Sequence, residues 1–326
     1  MTVLVTGGAG YIGSHTVKAL AEAGFEVVVF DNFSSGRREL VQGRNVVEGD
    51  LAFRNDVSAL FQEHTFEAVI HFASLIQVGE SFRDPQKYYT ANLRNSLNLL
   101  DGILEAGVPR IIFSSSAAVY GEPEAVPILE SHPLRPENPY GQTKFFVESI
   151  LRDYSRAYGL RFISLRYFNA AGADPAGELG ELHEPETHLI PCILRALLEQ
   201  NRALEIYGTD FPTPDGTAVR DYIHVTDLAD AHVLALKALL EGHGGGFINL
   251  GTNQGHSVRE VIHKVEDVTG RTVSFTEGAR RKGDVPNLLA SRARAEEWLG
   301  WKPEHSDLGE IIQTAWDWHR RWHGLE

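Results

Sequence analysis

The sequence predicts a doubly wound α/β fold, a Rossmann-like parallel sheet followed by a smaller C-terminal α/β domain, and three observations carry that reading. Apolar runs of strand length alternate with helical patterns through the first half of the 326 residues. Most of those runs are apolar on both alternating positions, as strands covered on both faces must be. A glycine-rich turn joins the first run to the first helical pattern. Such β-α-β alternation implies a parallel sheet with helices on both sides.

Val3–Thr6 is the first strand, and Thr6-Gly7-Gly8-Ala9-Gly10-Tyr11-Ile12-Gly13 opens a helix over Tyr11–Ala23. Glycines at 7, 10 and 13 let the chain turn tightly, let backbone approach a pyrophosphate and let helix pack on sheet. The helix N-terminus then offers amides and a partial positive charge to phosphates. The second strand, Glu26–Phe30, leads to Asp31, 18 residues after Gly13. A carboxylate there accepts hydrogen bonds from ribose hydroxyls and repels a 2′-phosphate, so NAD is expected rather than NADP. The third strand, Asn45–Val47, ends in Glu48-Gly49-Asp50-Leu51. Asp50 is placed to meet an adenine or to cap the helix expected over Arg54–Glu63.

Ala68–His71 is the fourth strand, Asp84–Ala106 a long helix, Arg110–Ser114 the fifth strand and Phe162–Arg166 the sixth. The run Phe113-Ser114-Ser115-Ser116-Ala117-Ala118-Val119-Tyr120-Gly121 leaves the fifth strand at its C-terminal end, where doubly wound sheets bind ligands. A helix over Pro139–Ala157 begins Pro139-Tyr140-Gly141-Gln142-Thr143-Lys144, with proline in the first turn. Tyr140 and Lys144 are four apart and share a face. An ammonium beside a phenol favours the tyrosinate, which makes Tyr140 a general base, and Ser116 can bond the hydroxyl that Tyr140 deprotonates. Either pattern alone carries little weight; together they form a catalytic trio.

Beyond Asn169 the texture changes. Ala171–Glu186 carries Gly, Pro and acidic residues with little periodicity, a long loop of the kind often functional. The later strands are shorter. A division into residues 1–168 and 169–326 is expected. The chain around 221–252 crosses back, because His224–Leu240 reads as a capped helix able to rejoin the first unit.

The net charge is −14 and the 30 basic residues are scattered, so neither nucleic acid nor a membrane surface is an expected partner. Cys192 is the only cysteine, which rules out an intrachain disulfide and suits a reducing compartment. Val3-Leu4-Val5 is cut off by Gly7-Gly8, far short of a membrane helix, and a cytoplasmic location is expected. The 14 histidines show no ligand spacing with carboxylates, so no metal is expected.

Several segments together resemble one family, the extended short-chain dehydrogenases and, within them, the UDP-glucose (UDP-galactose) 4-epimerases. They are Leu4–Thr16, Asp31-Asn32, His71-Phe72-Ala73, Val78-Gly79-Glu80-Ser81, Arg166-Tyr167-Phe168-Asn169, Val219-Arg220-Asp221-Tyr222-Ile223-His224-Val225 and Gly283-Asp284-Val285-Pro286. The similarity runs nearly end to end. It implies NAD contacts at Tyr11, Ile12, Asp31, Asn32, Asp50, Leu51, Phe72, Ala73, Asn92, Lys144 and Phe168. For a UDP-hexose it implies Ser116, Tyr140, Asn169, Leu189, Tyr207, Arg220, Arg281 and Asp284. The residue types suit those roles: two arginines can chelate a diphosphate, Asp284 can accept from ribose hydroxyls, and Tyr207 offers a face to uracil.

The sequence departs from better-known members at three positions. Ile76 stands where a lysine is common, and His188 replaces a frequent asparagine beside the substrate, keeping hydrogen-bonding capacity. Leu288 falls where bulk decides whether an N-acetyl group fits beside the sugar; leucine is smaller than the tyrosine of strict glucose/galactose enzymes, so partial acceptance of UDP-N-acetylhexosamines is expected. The implied reaction is C4 epimerisation through a transient 4-keto sugar, on a homodimer paired through the helices near Asp84–Ala106 and Pro139–Ala157. A 4,6-dehydratase would need carboxylates where Ala117 and Ala118 stand. A UDP-glucuronate epimerase or decarboxylase stays open as an alternative. A non-catalytic NAD sensor does not sit well with a retained Ser116, Tyr140 and Lys144.

Overall fold

The computed structural model describes residues 1–199, 204–281 and 283–325. The first half runs β1 (Thr2–Thr6), α1 (Tyr11–Glu22), β2 (Glu26–Asp31), β3 (Asn45–Glu48), α2 (Arg54–Glu63), β4 (Ala68–His71), α3 (Val78–Arg83), α4 (Pro85–Tyr88), a π-helical stretch (Tyr89–Arg94), α5 (Asn95–Glu105), β5 (Arg110–Ser116), α6 (Pro139–Tyr158) and β6 (Arg161–Tyr167). The second runs β7 (Asn169–Ala171), α7 (Leu189–Leu198), β8 (Leu204–Tyr207), β9 (Val219–Arg220), β10 (Tyr222–His224), α8 (Val225–Leu240), β11 (Gly246–Leu250), β12 (His256–Ser257), α9 (Val258–Thr269), β13 (Phe275–Gly278), β14 (Asn287–Leu288), α10 (Ala293–Leu299) and α11 (Leu308–Trp322).

Seven strands form one parallel sheet in the order β11-β6-β5-β4-β1-β2-β3. Alternation within β1 sends Val3 and Val5 into one apolar layer with Val17, Leu20 and Leu236, and Leu4 into the other with Leu60, Leu99 and Leu151. Both layers exclude water, which is why the strand runs are apolar at every position. Strand order reverses at β1, which lies between β4 and β2, so a crevice opens at the carboxyl ends of β1 and β4, where Thr6 pairs with His71.

Two returns of the later chain complete this sheet. α8 packs on α1, and β11 adds a seventh strand beside β6 in the register Gly246↔Ile163 to Leu250↔Tyr167. A separate core joins α7, α9 and α11 through Ile193, Leu194, Val261, Ile262, Ile312 and Trp316. Three small sheets, β7 with β10, β8 with β13, and β9 between β12 and β14, surround it.

The helix expected over Asp84–Ala106 is not continuous. Asp84 accepts from the Lys87 amide to cap α4, and the chain then widens into the π-helical turn before resuming as α5. The inserted residue turns Asn92 inward to the segment after β4, and such bulges recur at functional sites. β5 also runs two residues beyond its expected end, making Ser116 the last residue of the strand.

Candidate active site

The dinucleotide side is built from the ends of β1, β2, β3 and β4. Gly7 has φ +74°, and a Cβ there would lie 2.5 Å from the Ala73 amide, so glycine lets the loop lie against the chain leaving β4. No side chain caps α1, whose first residues are Tyr11, Ile12 and Gly13, and first-turn amides are a ready anion site. Gly10 is the N-cap of this helix. Asp31, 7% exposed at the end of β2, accepts from the Ala9 amide and the Phe33 amide, both at 2.9 Å. Burial pushes its carboxyl up, against those two amides. Asp31 thus ties the glycine loop to β2, and each of its oxygens keeps a lone pair for a hydroxyl.

Asn32 donates to Asp50 at 2.9 Å, and Asp50 also accepts from the Ala52 amide. Leu51 lies buried beside them, its carbonyl accepting from Asn98. Across the crevice the amides of Phe72 and Ala73 both donate to the Thr6 carbonyl. Asn92 pins Leu75 by both of its backbone groups. A glycine loop held this tightly, an uncapped helix and a carboxylate at the second strand end fit a dinucleotide. Ile76 is 38% exposed and makes no polar contact with its side chain.

Ser116, Tyr140 and Lys144 come together at the end of β5. Asn138 accepts from the Gly141 amide at 2.8 Å to cap α6, Pro139 sits in its first turn, and left-handed Gly159 ends it. A Cβ at Gly141 would lie 2.4 Å from the Ala118 carbonyl oxygen, so this glycine lets α6 approach the turn that follows Ser116. Burial pushes the Tyr140 phenol above its ordinary value, opposed by a hydrogen bond with Ser116. Lys144, 2% exposed, donates from Nζ to Ser74 Oγ and to the Ser114 carbonyl, each at 2.8 Å, and its Nζ lies 5.8 Å from the centre of the Tyr140 ring. Burial pulls its ammonium down to about 7 despite Glu148 nearby. The hydrogen bond with Ser116 favours ionisation of Tyr140, and burial disfavours the charge on Lys144.

The sugar-nucleotide side gathers residues distant in sequence. Arg281 forms two hydrogen bonds to Asp284, at 3.0 and 3.4 Å, and its guanidinium lies 5.1 Å from the centre of the Tyr207 ring. Arg220 donates to the Val219 and Val285 carbonyls and approaches Asp284 to 4.0 Å. Leu288 pairs with Arg220 across β14 and β9, and both Leu288 and Phe168 pack against the small buried group of Val119, Tyr120 and Ile128. Asn169 donates to the Asp221 carbonyl at 3.2 Å. His188 and Leu189 stand at the start of α7, which no side chain caps. The His188 ring turns aside to bond Glu181.

Several contributors carried no recognisable sequence signal. Ser74 and the Ser114 carbonyl hold Lys144, and Thr143 bonds Asn92. Glu148, one turn after Lys144, forms a buried ion pair with Arg166 that anchors α6 to β6. The expectation that no histidine meets carboxylates at ligand spacing fails at one place: Glu181, His183, Glu186 and His188 bring their donor atoms within 4.8 Å of one another. The physical reason is a loop that coils on itself, so alternate residues meet without any helical period.

Comparison with known proteins agrees with this geometry. The family described as "NAD dependent epimerase/dehydratase family" matches residues 3–251. A UDP-glucose 4-epimerase from Lacticaseibacillus casei is 48% identical over 320 residues, 98% of this chain and 97% of that protein. One from Azospirillum brasilense is 50% identical over 98% of this chain and 92% of its own length. Among solved structures, the UDP-glucose 4-epimerase of Brucella ovis in complex with NAD superposes with a TM-score of 0.94 at 50% identity, covering 97% of each chain. That of Bifidobacterium longum in complex with NAD+ and UDP gives 0.95 at 38% identity over 100% of both.

Proposed function

The chain belongs to the NAD dependent epimerase/dehydratase family, and we infer that it is a UDP-glucose 4-epimerase, an isomerase that inverts C4 of a UDP-hexose with NAD as its resident cofactor. One relationship carries this reading. Leu288 pairs with Arg220 of the sugar-nucleotide cluster and packs against the group of Val119, Tyr120 and Ile128, whose first two members follow Ser116, which supports placing the residues suited to UDP beside those suited to hydroxyl chemistry. The relatives above are 4-epimerases, which favours this reaction over that of a UDP-glucuronate enzyme.

In the mechanism, residues 1–168 serve the cofactor and 169–326 the UDP-sugar. The first-turn amides of α1 with Gly7, Gly10 and Gly13 hold the pyrophosphate, Asp31 and Asn32 the adenosine ribose, Asp50 and Leu51 the adenine. Phe72, Ala73, Asn92 and Phe168 line the inner end of the crevice. NAD, when bound there, would supply the redox chemistry, a reversible hydride transfer at C4. Tyr140 takes the proton of the C4 hydroxyl, and Ser116, hydrogen-bonded to that phenol, steadies the oxygen. Lys144 holds the nicotinamide ribose and carries part of the positive charge that a tyrosinate needs. Arg220 and Arg281 grip the diphosphate, Asp284 takes ribose hydroxyls and Tyr207 stacks on uracil. With UDP anchored, the 4-keto sugar, trigonal only at C4, would present its other face, hydride return to that face would invert C4, and Tyr140 would return the proton to the C4 oxygen. No net oxidation occurs.

A homodimer paired through the α4–α5 stretch and α6 belongs to this proposal. Tyr89 and Phe146 pack together on that face, where Phe146 and Tyr158 are exposed. The cytoplasm is the proposed location, which a single cysteine suits. Among the described residues no helix is long and apolar enough to cross a membrane.

The deciding experiment incubates purified protein with UDP-galactose, without added cofactor, and resolves products by NMR. Formation of UDP-glucose supports both the reaction and tightly held NAD. Absence of conversion even with added NAD overturns the reading.

A further inference from the structure

One cluster of ligand-type side chains has no part in this mechanism beyond His188. Glu181, His183, Glu186 and His188 lie on the loop that precedes α7. His183 Nδ1 is 2.9 Å from a Glu181 oxygen and 3.8 Å from Glu186, while His188 Nδ1 bonds the same Glu181 oxygen and is also 3.8 Å from Glu186. All four donor atoms fall within 4.8 Å of one another. A tetrahedron of bonds of about 2.0–2.1 Å has edges of about 3.3–3.4 Å, so an ion at its centre needs only small movements of these groups.

We propose that Glu181, His183, Glu186 and His188 form a binding site for one divalent transition cation of the zinc class. Two imidazoles with two carboxylates suit zinc, cobalt or nickel, whereas calcium and magnesium favour all-oxygen shells. The Glu181 and Glu186 side chains are 3% and 1% exposed, and one divalent cation would neutralise both carboxylates at once. Glu186 is already oriented by the amides of Thr187 and His188, as ligands usually are by outer partners. A cavity of about 230 Å³ bounded by Glu181, His183, Glu186, His319 and Trp322 gives an ion a way in. His319, itself 3% exposed, has no hydrogen-bond partner at Nδ1.

The ion's effect follows from its place. The His183 ring stands edge-on to that of Tyr11, with centres 6.2 Å apart, and His188 is the N-cap of α7. A bound cation therefore clasps the loop between the start of α1 and the start of α7. It takes the place of the hydrogen bonds that Glu181 now makes with the two imidazoles. Nothing in this rests on the epimerase reading.

The test uses the full-length protein stripped with a chelator, then titrated with zinc chloride by calorimetry and with cobalt(II) by visible absorption. One equivalent of zinc and an intense four-coordinate cobalt band are expected. His183→Ala and Glu186→Gln should each weaken zinc binding by about 10-fold or more. His243→Ala, at an exposed histidine, should leave it unchanged. Zinc-edge anomalous density from a soaked crystal gives a readout free of any folding defect, with the peak expected between the His183 and His188 rings. Absence of a stoichiometric site, affinity in both ligand variants equal to that of the parent, or a peak elsewhere overturns the proposal.

Discussion

Gly141 packs so closely on Ala118 that a methyl group at position 141 would sit 2.4 Å from the Ala118 carbonyl oxygen. That oxygen belongs to rigid backbone, so Gly141→Ala must push the start of α6 away from the turn after Ser116. The helix itself is favoured by the change. A displacement near 1 Å between reacting groups costs about 100-fold in rate. We expect kcat to fall on that order, with KM nearly unchanged and circular dichroism intact. Unaltered kcat would mean that this contact does not position Tyr140.

Tyr140→Phe removes the proton acceptor and keeps the ring. Turnover of UDP-galactose should fall by about 100-fold or more, in line with the usual contribution of a general base. UDP binding, measured by calorimetry, should change by less than about 3-fold, because the residues proposed to hold the diphosphate, Arg220 and Arg281, lie on other segments. Near-full activity would place the base elsewhere.

Leu288, half-buried on the strand that pairs with Arg220, fills less space than a tyrosine would there. The parent protein should therefore convert UDP-N-acetylgalactosamine at a measurable rate. Leu288→Tyr should cut that rate at least about 10-fold while sparing UDP-galactose, since an extra group in a tight pocket is worth about 1–3 kcal/mol. Equal loss on both substrates would assign Leu288 a packing role only.

The Glu148–Arg166 pair predicts a stability effect. Both side chains are 1% exposed; Arg166 donates to Glu148 at 2.8 and 2.6 Å and to Tyr120 at 2.9 Å. Glu148→Gln strands a buried guanidinium and should cost about 3–5 kcal/mol in urea unfolding. Glu148→Leu combined with Arg166→Met should recover most of that loss. A single variant within about 1 kcal/mol of the parent would show that water reaches the pair.

Acid should destabilise the fold. Burial holds His15, His232 and His319 down to about 4, and His71 and His224 down to about 3. Their contribution is complete above the free-histidine value of about 6.5 and is lost as pH falls toward these folded values. Asp221, held up to about 6 by burial, opposes them by one proton. Unfolding near pH 5 should thus take up protons on balance, each net proton worth about 1.4 kcal/mol per pH unit. A urea midpoint that stays level from pH 7 to pH 5 would contradict this balance.

The large sheet was legible because a strand covered on both faces must be apolar throughout, as Val3–Val5 and Ala68–Ile70 are. The break at Tyr89–Arg94 was not, since one inserted residue barely disturbs a 3.6-residue period. Strands of two or three residues, such as Val219–Arg220 and Asn287–Leu288, are too short to show a period at all. In the site, Tyr140 and Lys144 announce themselves by spacing. The carbonyl of Ser114, which holds Lys144, cannot, because every residue has one. Arg220 and Asp284 meet through the pairing of β14 with β9, and Tyr207 and Arg281 through that of β13 with β8, contacts that no local pattern encodes.

The seventh strand has a consequence for synthesis on the ribosome. When residue 168 has emerged, six strands exist and the outer edge of β6 offers unpaired backbone groups to any other chain. That edge is closed only after Gly246–Leu250 has been translated, some 80 residues later, at a rate of about 5–20 residues per second. The nascent protein thus carries an open sheet edge for several seconds, and a fragment ended before residue 246 would carry it permanently.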